Sequence, residues 1–125
     1  MNVRVKRAYD AASSGDGYRV LIDRLWPRGV SRERARLDAW EKDLAPSTSL
    51  RTWFGHDPAR FDEFRRRYME ELRPRRAQIA ALRRRARTGT LTLVHSARDA
   101  EHNDATVLAE IVRHGLPSGG RSSRR

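Results

Sequence analysis

The chain has 125 residues, no cysteine and a formal charge of +11 at pH 7, from 27 Lys and Arg against 16 Asp and Glu. That length fits one domain, and the missing cysteine excludes disulfide staples, thiolate metal sites and thiol nucleophiles. Only 38% of the residues are hydrophobic, yet they fall in blocks separated by polar turns, so a packed core is expected.

The charge invites a polyanionic partner, but two features temper that reading. Lys6 and Lys42 are the only lysines and the other 25 basic residues are arginine. A GC-rich coding sequence produces the same bias, so charge alone assigns nothing. Three of the arginines, Arg121, Arg124 and Arg125, sit in PSGGRSSRR. The folded domain is therefore expected over 1–116, with a flexible basic tail over 117–125. The N-terminus lacks the apolar run of a secretory signal, and no stretch approaches the roughly 20 apolar residues of a membrane span. A cytoplasmic protein is the expectation.

Residues 3–7, VRVKR, alternate apolar and basic as a half-buried strand does. SSGDG at 13–17 is a turn signal, and YRVLID at 18–23 reads as a second strand. About ten residues join the two. A parallel crossover usually takes a dozen or more, so a hairpin is open here. After the corner DRLWPRG, SRERARL reads as a short helix capped by Ser31, and DAWEK at 38–42 as a short extended segment. Pro46 and Ser47 then precede a helical turn that stops at Gly55.

HDPARFDEFRRRYMEEL carries the clearest helix. Asp57 is its N-cap, Pro58 its first residue, and Phe61, Phe64, Tyr68 and Leu72 its apolar stripe. Pro74 interrupts it. A further helix follows in RRAQIAALRRRARTG, with Ile79, Leu82 and Ala86 inward and Gly89 at its end. TLTLVHSA at 90–97 is a strand apolar on both faces. Asp99 is expected to start a last helix, about 100–114, that closes at Gly115. This order specifies a small α/β domain with a short sheet flanked by helices.

Ligands of open α/β sheets gather beyond the carboxyl ends of the strands. DRLWPRG leaves one such end and HSARD, 95–99, another. Between them they supply Arg24, Arg28 and Arg98, whose guanidinium forks suit phosphate or carboxylate. The competing reading pairs each arginine with Asp23 or Asp99 and makes it a loop pin. Trp26 either stacks on a flat ligand or plugs the sheet edge. Trp40 and Trp53 read as core. Asp23, Asp99 and His56 are the acid–base candidates. Asp57 and Pro58 around His56 are already explained as a helix start, and the two aspartates as partners of arginine. Ser47 lacks the GxSxG setting of a nucleophile and reads better as a helix cap.

His95, His102, Asn103 and Asp104 show no metal-ligand spacing, so no metal is expected. Without a GxGxxG or Walker-type loop, no cofactor is expected either. The arginine-rich helices over 57–87 are a second basic feature. They form either a solvated face or a sequence-independent contact with nucleic-acid phosphates.

Strung together, DGYRVLIDRLWPRG, APSTSLRTWFGHDPARFDEFRRRY and TLTLVHSARDAEHNDATVL resemble the YeaO-like family of small bacterial proteins, a domain-of-unknown-function family. The likeness runs from about Val3 to Leu116. It implies a Rossmann-like α/β fold with a short, mostly parallel sheet, in a bacterial cytoplasmic protein, and it brings no activity with it. Asp23, Arg24, Trp26, Pro27, Arg28 and Gly29 match the pattern, as do Ser47, Arg51, His56, Asp57, Asp99, His102 and Asn103. His95 and Arg98 depart from it, an aromatic and a lysine being expected; Arg98 keeps the charge.

The leading expectation is an anion-binding crevice for a phosphorylated ligand, a nucleotide or nucleic-acid fragment. Its ligand-binding residues would be Arg24, Trp26, Arg28, Ser47, Arg51, Arg98 and Asn103, with Asp99, Asp23 or His56 as acid–base groups if it is an enzyme. The alternative is a non-enzymatic nucleic-acid-binding module that uses the arginine-rich helices.

Overall fold

The computed structural model describes residues 1–117; the tail from 118 to 125 lies outside the described residues. Four strands make one sheet: β1 (Asn2–Arg7), β2 (Tyr18–Leu21), β3 (Ala39–Trp40) and β4 (Thr90–His95). Their order is β1–β4–β2–β3, and every pairing is parallel. The α-helices are α1 (Arg32–Ala35), α2 (Thr48–Phe54), α3 (Phe61–Leu72), α4 (Arg76–Thr88) and α5 (Asp104–His114). The parallel α/β class expected from the sequence is thus observed.

The hairpin is not. β4 inserts between β1 and β2, with Leu91 opposite Val3 and Leu93 opposite Val20. Residues 8–17 therefore make a short parallel crossover, and the chain fixes it in two ways. Gly17 has φ +63°, and a Cβ there would lie 2.2 Å from the Thr90 carbonyl, so the left-handed turn needs glycine. Asp16, fully buried, accepts from Lys6 at 3.0 Å, Arg19 at 2.6 Å and the Ser13 backbone N–H at 3.0 Å. Burial alone would raise its carboxyl, but these hydrogen bonds hold it far below the usual carboxylate range. The Asp16 carbonyl in turn accepts from the Thr92 hydroxyl at 2.6 Å, which ties the crossover to the central strand.

The helices α3, α4 and α5 pack on the sheet face that carries Val3, Val20, Leu91 and Leu93. Phe64, Tyr68 and Leu72, then Ile79, Leu82 and Ala86, are buried there, as the sequence stripes indicate. Each large apolar side chain so buried contributes about 1.5–3 kcal/mol relative to exposure. A smaller cluster, Ala8, Leu21 and Val94 under Trp26, Leu37 and Trp40, covers the opposite face. Burial on both faces is why β4 reads as a continuous apolar run.

Asp57 caps a 3-10 turn, Pro58–Arg60, that leads into α3. Pro74 lies in a second such turn, Arg73–Arg75, between α3 and α4. The last helix begins at Asp104 rather than near 100. Asp99 turns its carboxylate onto the backbone N–H groups of Glu101 and His102, both at 2.9 Å, and holds 99–102 in a non-helical loop. Asn103 is the cap instead, accepting from the Thr106 N–H at 2.9 Å.

Candidate functional site

Beyond the carboxyl ends of β2 and β4 opens a crevice of about 670 Å³, within the range of small-molecule sites. Asp23 comes to it from β2, and Ser96, Ala97, Arg98 and Asp99 from the loop after β4. Arg51, Thr52 and Phe54 of α2 form one wall, and His102, Asn103 and Asp104 at the start of α5 another. His56 stands at the end of α2, in a left-handed conformation with φ +58°.

Asp23 is fixed by the neighbouring strand end. Its Oδ2 accepts from the Ser96 backbone N–H at 2.9 Å and the Ser96 hydroxyl at 2.7 Å. Against it lies Asp104. Burial, then the charge of Asp23 and a hydrogen bond between the two carboxyls, pushes Asp104 well above the usual carboxylate range, while Arg51 pulls weakly the other way. Asp99 is the opposite case. The His102 and Glu101 backbone N–H groups, and then the His102 ring, hold it at about 2. Its Oδ2 is 2.9 Å from His102 Nδ1, and the ring stands edge-on to Phe61 at 5.1 Å. A carboxylate so held orients a histidine; it is poorly matched to proton transfer near neutrality.

Arg51 and Arg98 are both exposed, both line the crevice, and neither makes an ion pair among the described residues. In particular, Arg98 is not pinned by Asp99. These two, with Asp23, His56, Asp99 and Asn103, are the sequence candidates that the fold gathers. Asn103 belongs to the wall, since its amide donates to the Asp99 carbonyl at 2.8 Å while its oxygen caps α5.

Arg24, Trp26 and Arg28 lie outside the crevice lining. Trp26 donates to the Val30 carbonyl at 2.6 Å and packs edge-on to Trp40 at 5.4 Å, with the Arg32 guanidinium over its ring. It closes the smaller core cluster, and Arg28 is exposed to solvent beside it in sequence. Arg24 is half-buried, its Nε without a hydrogen-bond partner. Ser47 caps α2, accepting from Leu50 N–H at 3.2 Å and donating to Glu71 at 2.6 Å.

The sequence reading missed Ser96 and weighed Asp104 only as a metal ligand. Both stand beside residues it did single out, but only the β2–β4 pairing brings them to Asp23. Among the described residues no group of three His, Asp or Glu is placed to hold a metal ion. No helix among them is long and apolar enough to cross a membrane.

A parallel α/β domain with a polar crevice at the carboxyl edge of its sheet is the class that fold and site define. The chain belongs to the family described as the inactive DUF488-N3 subclade, whose model matches residues 2–123. It is 42% identical over 113 residues to the uncharacterized protein YeaO of Escherichia coli (strain K12), covering 90% of this chain and 98% of that one. It is 44% identical over 110 residues to the uncharacterized protein Rv3073c of Mycobacterium tuberculosis (strain ATCC 25618 / H37Rv), covering 88% and 92%. The same figures hold for the uncharacterized protein Mb3100c of Mycobacterium bovis (strain ATCC BAA-935 / AF2122/97). No solved structure matches the chain.

Proposed function

We propose that the crevice binds a phosphorylated ligand of nucleotide size and holds it without turnover. The observation that carries this reading is the convergence of Arg51 and Arg98, from separate elements and both free of ion pairs among the described residues, on one cavity of about 670 Å³. Two unpaired guanidinium forks facing one space suit a phosphate.

Three aspartates share that space, and burial together with the neighbouring Asp23 charge favours the neutral form of Asp104 there. Phe54 and Phe64 supply the apolar contact that a base or other flat group needs.

The description of the family as inactive supports binding over catalysis. Asp23, Asp99 and His56 accordingly serve as ligand-holding groups. The test is calorimetric titration with inorganic phosphate and with mononucleotides, on the parent protein and on Arg51→Ala and Arg98→Ala. Binding lost in both variants supports the crevice; binding retained in both removes it.

A further inference from the structure

We propose that the outward face of α4 binds the phosphate backbone of double-stranded nucleic acid without reading its sequence, independently of the crevice. From Leu72 to Arg98 the chain has eight arginines and no aspartate or glutamate, and α4 lies inside that stretch.

The basic residues of α3 are each engaged in an ion pair. Arg66 and Arg67 each bond Glu63 at 2.7 Å, and Arg65 pairs with Glu110. Arg73, just past the helix, pairs with Glu70 at 3.0 Å. Arg76, Arg84 and Arg87 of α4 are exposed and make no ion pair among the described residues. Arg85 lies over the Tyr18 ring at 3.9 Å, a contact that leaves its charge uncompensated. Between these arginines the exposed positions are alanines, Ala77, Ala80 and Ala81, low enough for a rigid backbone to approach. Ile79, Leu82 and Ala86 anchor the inner side in the core, so the basic face is presented on a fixed helix.

The surface chemistry selects the partner. A membrane-surface helix needs large apolar residues to insert, and α4 exposes none. Protein interfaces centre on aromatic, Arg or large apolar anchors seated in pockets, and the centre of this face is alanine. Single strands are held by stacking on open aromatics, whereas Tyr18 is half-buried beneath Arg85. Duplex phosphates need only spaced, unpaired guanidinium groups.

The experiment is fluorescence anisotropy of the full chain with a labelled random-sequence DNA duplex across a salt series. Each phosphate contact contributes about −0.9 to the slope of log affinity against log salt. Arg84→Ala with Arg87→Ala is expected to make the slope shallower by about 1.8. Arg66→Ala with Arg67→Ala on α3, and Arg51→Ala with Arg98→Ala in the crevice, are expected to leave it unchanged. Alanine is the best helix former, and a Gln version of the α4 pair serves if the Ala version melts early. Absence of duplex binding at low salt, a slope unmoved by the α4 pair, an equal loss from the α3 pair, or binding to phosphatidylserine vesicles in preference to the duplex would each overturn the proposal. Loss of duplex binding in the crevice variants would also overturn it, while leaving the crevice reading intact.

Discussion

Asp23 and Ser96 join the ends of two neighbouring strands: the Asp23 carboxylate accepts both the backbone N–H and the hydroxyl of Ser96, at 2.9 and 2.7 Å. This clasp sets the floor of the crevice and places Asp23 against Asp104. Ser96→Ala removes the hydroxyl bond and keeps the backbone one. It is expected to destabilise the protein by about 1–2 kcal/mol in urea unfolding and to weaken mononucleotide binding. Unchanged stability and affinity would make the clasp incidental.

Asp16 is the principal buried charge of the fold, fully closed from solvent between Arg19, Lys6 and Ser13. Asp16→Ala leaves the buried Arg19 guanidinium without its carboxylate. A cost of about 3–5 kcal/mol is expected, as for other broken buried pairs, with Asp16→Asn intermediate. A loss below about 1 kcal/mol would mean that water replaces the carboxylate readily.

Two aspartates of the crevice give stability opposite pH dependences. Asp104 is raised in the folded protein, so its contribution is fully present below the unfolded carboxylate pKa and is lost as pH rises toward its folded value. Each pH unit between the two values costs up to about 1.4 kcal/mol. Asp104→Asn should therefore be more stable than the parent at neutral pH, and the difference should vanish in acid. Asp99 is depressed to about 2, so its contribution is present above about pH 4 and is lost as pH falls toward 2. Asp99→Asn should flatten the acid limb of the stability profile. Melting temperature against pH for the three proteins measures both effects, and parallel profiles would contradict them.

Ser47→Ala separates a cap from a ligand contact. The loss of the Leu50 and Glu71 bonds is expected to cost about 1–2 kcal/mol. Its response to phosphate and mononucleotides should match that of the parent. Impaired binding at unchanged stability would return Ser47 to the site.

Much of the fold was legible because it rests on local rules. The stripes of Phe64, Tyr68 and Leu72 and of Ile79, Leu82 and Ala86 face the core as their spacing implies. Ser31 and Ser47 cap their helices, and Asp57 the turn that leads into α3. The two-sided burial of β4 could be read from Leu91, Leu93 and Val94. What escaped depends on contacts distant in sequence. Nothing near Val3 or Val20 announces that β4 separates their strands. A buried Asp16 is indistinguishable in sequence from a wet turn residue. The corner DRLWPRG looked like a site because its residue types suit one. Yet Trp26 was needed to cover Leu21 and Val94, and that orientation leaves Arg24 and Arg28 outside the crevice lining. The position of Arg98 at a strand's carboxyl end was readable, whereas its companion Asp104 was not.

The most direct test is a thermal-shift comparison of the parent with Arg51→Ala, Arg98→Ala and Arg28→Ala, in mononucleotide at matched ionic strength. At about 100 times its dissociation constant, ligand should stabilise the parent by roughly 2.7 kcal/mol, a shift of several degrees. The shift should survive Arg28→Ala and collapse in the other two variants. A shift that survives Arg51→Ala and Arg98→Ala but disappears with Arg28→Ala would contradict the crevice and return the site to the DRLWPRG corner.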